Sequence, residues 1–412
     1  MTDTARTTVL EPTGTVERSR TYWNLVWRTF RLPWLNRLAC VWVVWLLVIA
    51  VIVPFVANSA PYTAVIAGRR EYPLFHNLTR IDWIILVCAV GAVVYGVAHW
   101  RLGKQPGTIE ELRVRHTVWM GGVAAVLVVV SVGIAVLQKD YLDSRDYRLL
   151  AQSGKIEQAV YAPLRWGFKE SEPLEADRIF DYPSRTHLMG TDGNGRDALA
   201  RLLWSVRIVL GIGLVSETIA LIIGVTYGAL MGYFLGRVDI LGMRLVEMVE
   251  AIPLLFLLIS FVAIFGREHL FILMAIIGFT GWTGIARFVR AEFLRIRNLD
   301  YVSAAKAVGV PLWSVLFRHM LPNGLTPVIV SFTFGVAGAV GSESTLSFLG
   351  IGVAPPTPSW GVMLNEAGNP AETFRWWLAI APGLLIFITV LAYNIIGEGL
   401  RDAIDPRTNK VR

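Results

Sequence analysis

Residues 298–323 read NLDYVSAAKAVGVPLWSVLFRHMLPN and connect two long apolar runs of the chain. Asp300 can cap a helix by accepting hydrogen bonds from its first N–H groups, and residues 301–308 favour two helical turns. Gly309 predicts a left-handed residue that ends this helix, and Pro311 predicts the first turn of another. The stretch therefore predicts a helix, a hinge and a helix, arranged to be bound by another protein.

The composition of the whole chain indicates a membrane protein. Of 412 residues, 54% are hydrophobic and 17% are charged, and the mean hydropathy is +0.54. A soluble domain carries about a quarter charged residues, so this composition excludes a disordered, collagenous or disulfide-stapled chain and disfavours a soluble enzyme. In a membrane protein, the net charge of +7 reports orientation, and we expect no nucleic-acid partner.

Apolar runs of about 20 residues, the length that crosses a bilayer, recur along the chain. They predict an all-α polytopic membrane protein with about eight spans. The predicted spans are residues 38–57, 81–100, 117–137, 206–234, 247–265, 271–289, 324–346 and 377–397.

Basic residues predict which side each connection occupies, because cytoplasmic loops carry an excess of Lys and Arg. The leader before residue 38, the loop 101–115 and the connection 287–318 are all basic, whereas the stretch 138–201 is slightly acidic. We therefore expect both termini in the cytoplasm and 138–201 on the outer face. A cleaved signal peptide remains an alternative for the first run.

These patterns divide the chain into five segments. They are a cytoplasmic leader (1–36), the first span with a transmembrane hairpin (37–137), an extracytoplasmic segment (138–204), a transmembrane body (205–398) whose cytoplasmic loop is 290–322, and a cytoplasmic tail (399–412).

Catalytic and metal-binding signatures are missing from the sequence. It contains no G-x-x-x-x-G-K-[ST], H-E-x-x-H, G-x-S-x-G or paired Cys-x-x-Cys, and its six histidines are widely spaced. DGNGRD at 192–197 begins like a calcium loop, but Arg196 occupies a ligand position, so a turn leading into a helix near Asp197 is favoured. We predict no catalytic residue, no metal site and no cofactor in this chain.

Acidic residues in or near the spans have two interpretations. Glu217, Glu247 and Glu343 are candidates for a translocation or proton path, because a charge in hydrocarbon usually faces a cavity or a partner. Ion pairing at the interface or helix capping is the alternative. A different pattern, glycine at every fourth position from 224 to 236, favours close helix packing over a pore lining.

The loop and seven motifs resemble a known family. The pattern Ser303-Ala304-Ala305-x3-Gly309-x9-His319-x-Leu321-Pro322 resembles the EAA loop of binding-protein-dependent ABC importer permeases, although Ser303 replaces its glutamate. GTDGNGRD (190–197), AIP (251–253), AEFL (291–294), RHMLPN (318–323), SFLGIG (347–352), PTPSWG (356–361) and LRDAIDP (400–406) are similar to the second permease of dipeptide and oligopeptide importers. Segments 72–77 and 161–167 resemble the microcin-type peptide branch.

The resemblance implies a type I ABC importer fold, with six family-like spans and an inserted hairpin. It implies a cytoplasmic-membrane complex with two ABC ATPase subunits that bind ATP–Mg, a second permease in a heterodimer, and an extracytoplasmic solute-binding protein. Peptides are the implied substrate, and nickel or opines are an alternative. The implied coupling residues are Asp300, Ser303, Ala304, Ala305, Gly309, Pro311, His319, Leu321 and Pro322; the implied outer-face motif contains Gly190, Thr191, Asp192, Gly195, Arg196 and Asp197.

Two other classes of protein compete with this interpretation. A proton-coupled secondary transporter would use Glu217 and Glu343, but it predicts internal repeats that the sequence does not show. A membrane-embedded hydrolase would need a nucleophile and a base, and the sequence offers no such pair.

Overall fold

The computed structural model describes residues 22–66, 68–102, 109–137, 145, 147–170, 179–266, 270–368 and 374–404. Most of these residues are helical. Seven of the helices are long and apolar enough to cross a membrane, and a bent pair of helices makes eight spans if it counts as one. The helical membrane fold predicted from the sequence is therefore confirmed.

The first half of the chain contains α1 (Tyr22–Arg31), α2 (Trp34–Val56), β1 (Thr63–Ile66), β2 (Arg69–Glu71), α3 (Pro73–His76), α4 (Arg80–Leu102), α5 (Ile109–Leu137), α6 (Tyr147–Gln152) and β3 (Ile156–Val160). The second half contains α7 (Ala198–Phe234), α8 (Gly236–Glu250), α9 (Leu254–Phe265), α10 (Leu270–Ile296), α11 (Asp300–Ala307), α12 (Leu312–Ser314), α13 (Leu325–Phe348), α14 (Trp360–Ala367) and α15 (Trp376–Ile404). A π-helical turn, Val315–Met320, and a 3₁₀ turn, Leu321–Asn323, follow α12.

The predicted span 247–265 is broken into two helices. The chain bends by 70° between α8 and α9. Pro253 occupies the N-cap of α9, where its missing N–H costs nothing, and a proline inside one continuous helix would remove a backbone hydrogen bond. The break therefore follows from the proline, which hydropathy does not register.

Three predicted segment boundaries also fall inside helices. The boundary at 36/37 lies in α2, the boundary at 204/205 lies in α7, and the boundary at 398/399 lies in α15. Hydropathy marks the apolar part of each helix, whereas the helices continue beyond it into polar residues. The leader 1–21 and the tail 405–412 lie outside the described residues.

Glycines bring α7 and α10 into close contact. A Cβ at Gly224, Gly228 or Gly232 of α7 would collide with the backbone or Cβ atoms of α10. Close backbone approach through small residues is a common way for helices to associate in lipid. The predicted packing role is confirmed for these three residues but wrong for Gly236, which has φ +56° and begins α8.

A small antiparallel sheet, in the order β2-β1-β3, was not anticipated by the sequence patterns. It pairs Thr63 with Val160 and Ala64 with Ala159, which joins the segment after α2 to the segment after α5. Ala64 of β1 is buried, and Ile66 and Ile156 of the sheet pack against a buried cluster that contains Leu74 and Tyr147. The stretches on either side of the predicted hairpin therefore form one structure.

The hairpin of α4 and α5 is attached mainly at its base. Gly91 of α4 lies directly against Leu127 of α5. Arg207 of α7 forms a buried ion pair with Asp82, whose other oxygen accepts hydrogen bonds from Thr79. This ion pair ties the start of α4 to the bundle.

The two ends of the described chain meet at one end of the bundle. Val26 and Phe30 of α1 are buried against Ala403 and Ile404 of α15. The bundle end that holds these helices is called the terminal end below.

Candidate functional site

The loop between α10 and α13 forms a compact projection. Leu299, in extended conformation, is the N-cap of α11, and its side chain makes no capping hydrogen bond. The predicted capping role of Asp300 is therefore wrong. Asp300 is instead the first helical residue, where a carboxylate is stabilised by the positive end of the helix dipole.

Gly309 ends α11 in the way that its sequence position predicts. Its φ is +79°, its N–H donates to the Lys306 carbonyl at 3.0 Å, and the Val310 N–H donates to the Ala305 carbonyl at 3.1 Å. These two bonds form a Schellman motif. Pro311 then occupies the N-cap of α12, one position before the predicted first turn.

One face of this loop is anchored in the bundle. Val302, Val315 and Leu316 are fully or almost fully buried and belong to the same apolar cluster as Phe293 and Ile296 at the end of α10. Burial of these side chains fixes the orientation of α11 and α12 relative to the long helices. A displacement of the loop must therefore move the end of α10.

The other face of the loop is exposed. Of the predicted coupling residues, Asp300, Ser303, Ala304, Gly309, Pro311 and Pro322 are exposed, and Ala305, His319 and Leu321 are half-buried. Val308 is 83% exposed and Trp313 is 57% exposed, although neither was singled out from the sequence. Exposed large apolar side chains next to small ones are typical of a surface that binds a partner.

Basic residues fix the base of the loop. The Arg297 guanidinium donates to the Tyr233 carbonyl at the end of α7, at 3.1 Å. The Lys306 ammonium lies 4.6 Å from the centre of the Tyr233 ring. Partial burial, and then the nearby positive charge of Arg297, lower the pKa of Lys306. The loop is thus fastened to both α7 and α10.

The GTDGNGRD motif forms a turn that leads into α7, as predicted. Gly190 and Gly195 have φ values of +68° and +70°. Asp197 is the N-cap of α7 and accepts a hydrogen bond from the Ala200 N–H at 2.7 Å. The second oxygen of Asp197 lies 2.9 Å from Nδ1 of buried His187.

The charged side chains of this motif face inward. Asp192 is completely buried, accepts a hydrogen bond from Arg196 at 2.7 Å and forms an ion pair with Arg201. Glu366 of α14 binds the same two guanidinium groups. The motif therefore clamps α7 to α14, and these carboxylates and guanidinium groups do not form an outer binding surface.

The three acidic candidates have different surroundings. Glu247 is exposed and pairs with Arg244 at 2.6 Å, as the ion-pairing interpretation predicts. Glu343 is completely buried and accepts a hydrogen bond from the Ser347 hydroxyl at 2.7 Å. Glu217 is buried in the wall of a cavity.

That cavity has a volume of about 1120 Å³. It extends from the middle of α7, α10 and α13 to Arg401 and Ile404 at the terminal end, and Ile252 and Pro253 of the α8–α9 break also line it. Backbone that is not helical is tolerated at membrane depth where it lines a cavity. The break that hydropathy missed is thus part of the cavity wall.

No group of three or more His, Cys, Asp and Glu side chains that could hold a metal is found in the part of the chain that the structure describes.

Several membrane-spanning helices around a cavity, with a projecting loop at one end, define a polytopic membrane protein of the transport class. Residues 224–410 match the family described as binding-protein-dependent transport system inner membrane component. Together with the relatives below, this match shows that the chain belongs to that family.

Three relatives illustrate the similarity. The glutathione transport system permease protein GsiD of Pectobacterium atrosepticum is 39% identical over 241 residues, which cover 57% of this chain and 79% of the relative. The oligopeptide transport system permease protein OppC of Bacillus subtilis is 36% identical over 254 residues, 61% of this chain and 82% of the relative. The inner membrane ABC transporter permease protein YejE of Escherichia coli is 36% identical over 274 residues, which cover 65% of this chain and 77% of the relative. The family predicted from the loop is confirmed.

Proposed function

We propose that this chain is a permease subunit of an ATP-driven importer that carries peptides across the cytoplasmic membrane. Its partners in this proposal are a second permease, two ABC ATPase subunits that bind ATP–Mg and an extracytoplasmic solute-binding protein. Two of the relatives are permeases of glutathione and oligopeptide transport systems, which supports the peptide class. Both termini and the loop 300–323 are cytoplasmic in this proposal.

The observation that carries the proposal is the two-sided loop. Its exposed face, with Ala304, Val308 and Trp313, is available to an ATPase subunit, and its buried face is packed on α7 and α10. When the two ATPase subunits bind ATP and close against each other, they would move the loop together with the helices to which it is attached. Movement of the two permeases' helix bundles relative to one another would then open the cavity to each side of the membrane in turn.

The proton-coupled alternative receives no support from the two carboxylates that it needs. Glu343 is held by serine hydroxyls and is not among the residues that line the cavity, whereas Glu217 is. A relay would need both groups along one accessible path.

Gly309→Arg tests the coupling role. Nothing lies within 4 Å of a Cβ at Gly309, so the substitution acts through the positive φ and through bulk on the exposed face. The penalty of about 1–2 kcal/mol for a left-handed residue is expected to reduce ATPase binding roughly tenfold. The measurement is the amount of ATPase that co-purifies with the tagged chain when it is expressed with its neighbouring genes.

Gly266→Arg is the matched control, because Gly266 also has φ +79° with open space around it and lies at the other end of the bundle. Ala304→Arg adds bulk on the exposed face without backbone strain, and we expect it to reduce binding as well. Equal ATPase recovery with Gly309→Arg and Gly266→Arg would contradict the proposed coupling role.

A further inference from the structure

The carboxylate of Glu217 is a buried acid without a partner. Its residue is 6% exposed and lies near the middle of α7, in the wall of the 1120 Å³ cavity. Within the described part of the chain, no hydrogen bond or ion pair joins it to another residue. The cavity's other acid, Glu250, already pairs with Arg287.

Two neighbours shape the surroundings of Glu217. A Cβ at Gly335 of α13 would collide with the Glu217 carboxylate, so this carboxylate lies directly against bare backbone. Ser216 also lines the cavity, is 1% exposed, and its Oγ has no hydrogen-bond partner. Glu217 and Ser216 therefore both line the cavity, and neither side chain has a hydrogen-bond partner among the described residues.

Burying a carboxylate or a hydroxyl costs free energy unless the group gains a hydrogen-bond or ion-pair partner. An ionised carboxylate in a span usually pairs with a cation or faces a water-filled path. Arg401 lines the cavity nearer the terminal end, and no ion pair joins it to Glu217. The described part of the chain thus supplies no cation to this carboxylate, which leaves it available to a cationic group of a molecule that enters the cavity.

We propose that Glu217 and Ser216 bind the primary ammonium group of a peptide as it passes through the cavity. An ammonium group has three donors and suits a carboxylate and a hydroxyl oxygen. A metal ion would need more ligands than these two side chains supply. The inference rests on the proposed function, because it assigns a contact to the substrate class named there.

The test uses the complete transporter, with its binding protein and ATPase subunits, in proteoliposomes. ATP-dependent uptake of trialanine is compared with uptake of N-acetyl-trialanine, which lacks the ammonium group, in wild type and in Glu217→Gln. The same binding protein delivers both peptides, so a changed preference between them reports the permease. We expect the preference for trialanine to fall about tenfold in Glu217→Gln, the size of a lost charged hydrogen bond.

Two further variants sharpen the result. Gly335→Ala keeps the charge of Glu217 but displaces its carboxylate, and we expect the same loss of preference. Glu250→Gln removes the other cavity acid, and we expect it to leave the preference unchanged. N-acetyl-Ala-Lys-Ala carries only a side-chain ammonium, and its sensitivity to Glu217→Gln tells whether that group or the N-terminal ammonium is bound.

An unchanged preference in Glu217→Gln would overturn the inference and leave the proposed function intact. Loss of the second permease from the purified Glu217→Gln complex would also overturn it, because Glu217 would then be a subunit contact. If the wild type takes up no peptide with ATP, the proposed function fails, and this inference fails with it.

Discussion

The α7–α10 pair and the α4–α5 hairpin are both apolar, yet they are packed very differently. The most apolar part of α5 has a mean hydropathy of 2.6, and none of it is buried inside the protein. The corresponding part of α10 has a mean hydropathy of only 1.6, and 56% of it is buried. α10, the less apolar of the two helices, is therefore the more buried one.

Small residues explain this difference. Gly224, Gly228 and Gly232 bring α7 against α10, and Gly278 of α10 brings its backbone against α7 in return. In the described part of the hairpin, a Cβ at Gly91 would meet only the Leu127 side chain and no backbone atom. In lipid, apolar surface gives no preference for a protein neighbour, whereas close backbone contact and buried polar groups do.

The largest expected effect comes from breaking the clamp that fixes α7 to α14. Arg201→Gln leaves Asp192 and Glu366 with one guanidinium fewer in a buried site, and we expect the free energy of unfolding to fall by about 3 kcal/mol. Unfolding of the detergent-solubilised chain by denaturant measures it. The control is Arg295→Gln, which breaks an exposed pair with Glu292 and is expected to cost less than about 1 kcal/mol. Similar losses in the two variants would show that burial does not set the strength of the clamp.

A somewhat smaller effect is expected at the glycine contact itself. In Gly228→Leu the new side chain meets the Ala286 carbonyl and Val289, which forces α7 and α10 apart and costs about 1–3 kcal/mol. Gly121→Leu on α5 is the matched control, because nothing lies within 4 Å of a Cβ there. Thermal unfolding of both variants in the same detergent distinguishes them. A Tm lowered equally in both would contradict the contrast between the two pairs.

The smallest effect is expected from removing the hairpin. Arg80 donates to the Ala135 carbonyl at 3.2 Å, so the start of α4 and the end of α5 lie close enough for a short glycine–serine linker to replace residues 84–137. This deletion keeps Asp82 and its buried ion pair with Arg207. We expect the shortened chain to recover as much ATPase as the full chain, since the loop 300–323 packs on α7 and α10. Loss of the ATPase on deletion would mean that the hairpin supports the core after all.

Local rules predicted the parts of the molecule that depend on neighbouring residues. Gly309, the turn before Asp197 and the packing role of Gly224, Gly228 and Gly232 were identified correctly, because φ, capping and small-residue spacing act within a few positions. Features that need distant partners were not found. Glu366 meets Arg201 across 165 residues, and β1 pairs with β3 across the whole hairpin.

Asp300 and the span 247–265 show a second kind of limit. The sequence analysis took Asp300 as the N-cap of α11, whereas the extended Leu299 occupies the N-cap one residue earlier. Hydropathy averaged across Pro253 hid the break that shapes the cavity. A hydropathy average over many residues does not show the single proline at which the chain bends.

The contact between α2 and α15 has a consequence for how the protein is made. The Trp42 indole N–H donates to the Thr389 hydroxyl at 3.2 Å, although 347 residues separate them. At about 5–20 residues per second, the ribosome needs roughly 20 to 70 seconds to make the second partner after the first. During that interval α2 has lipid, or the insertion machinery, in place of α15. This contact is thus delayed until α15 has been synthesised.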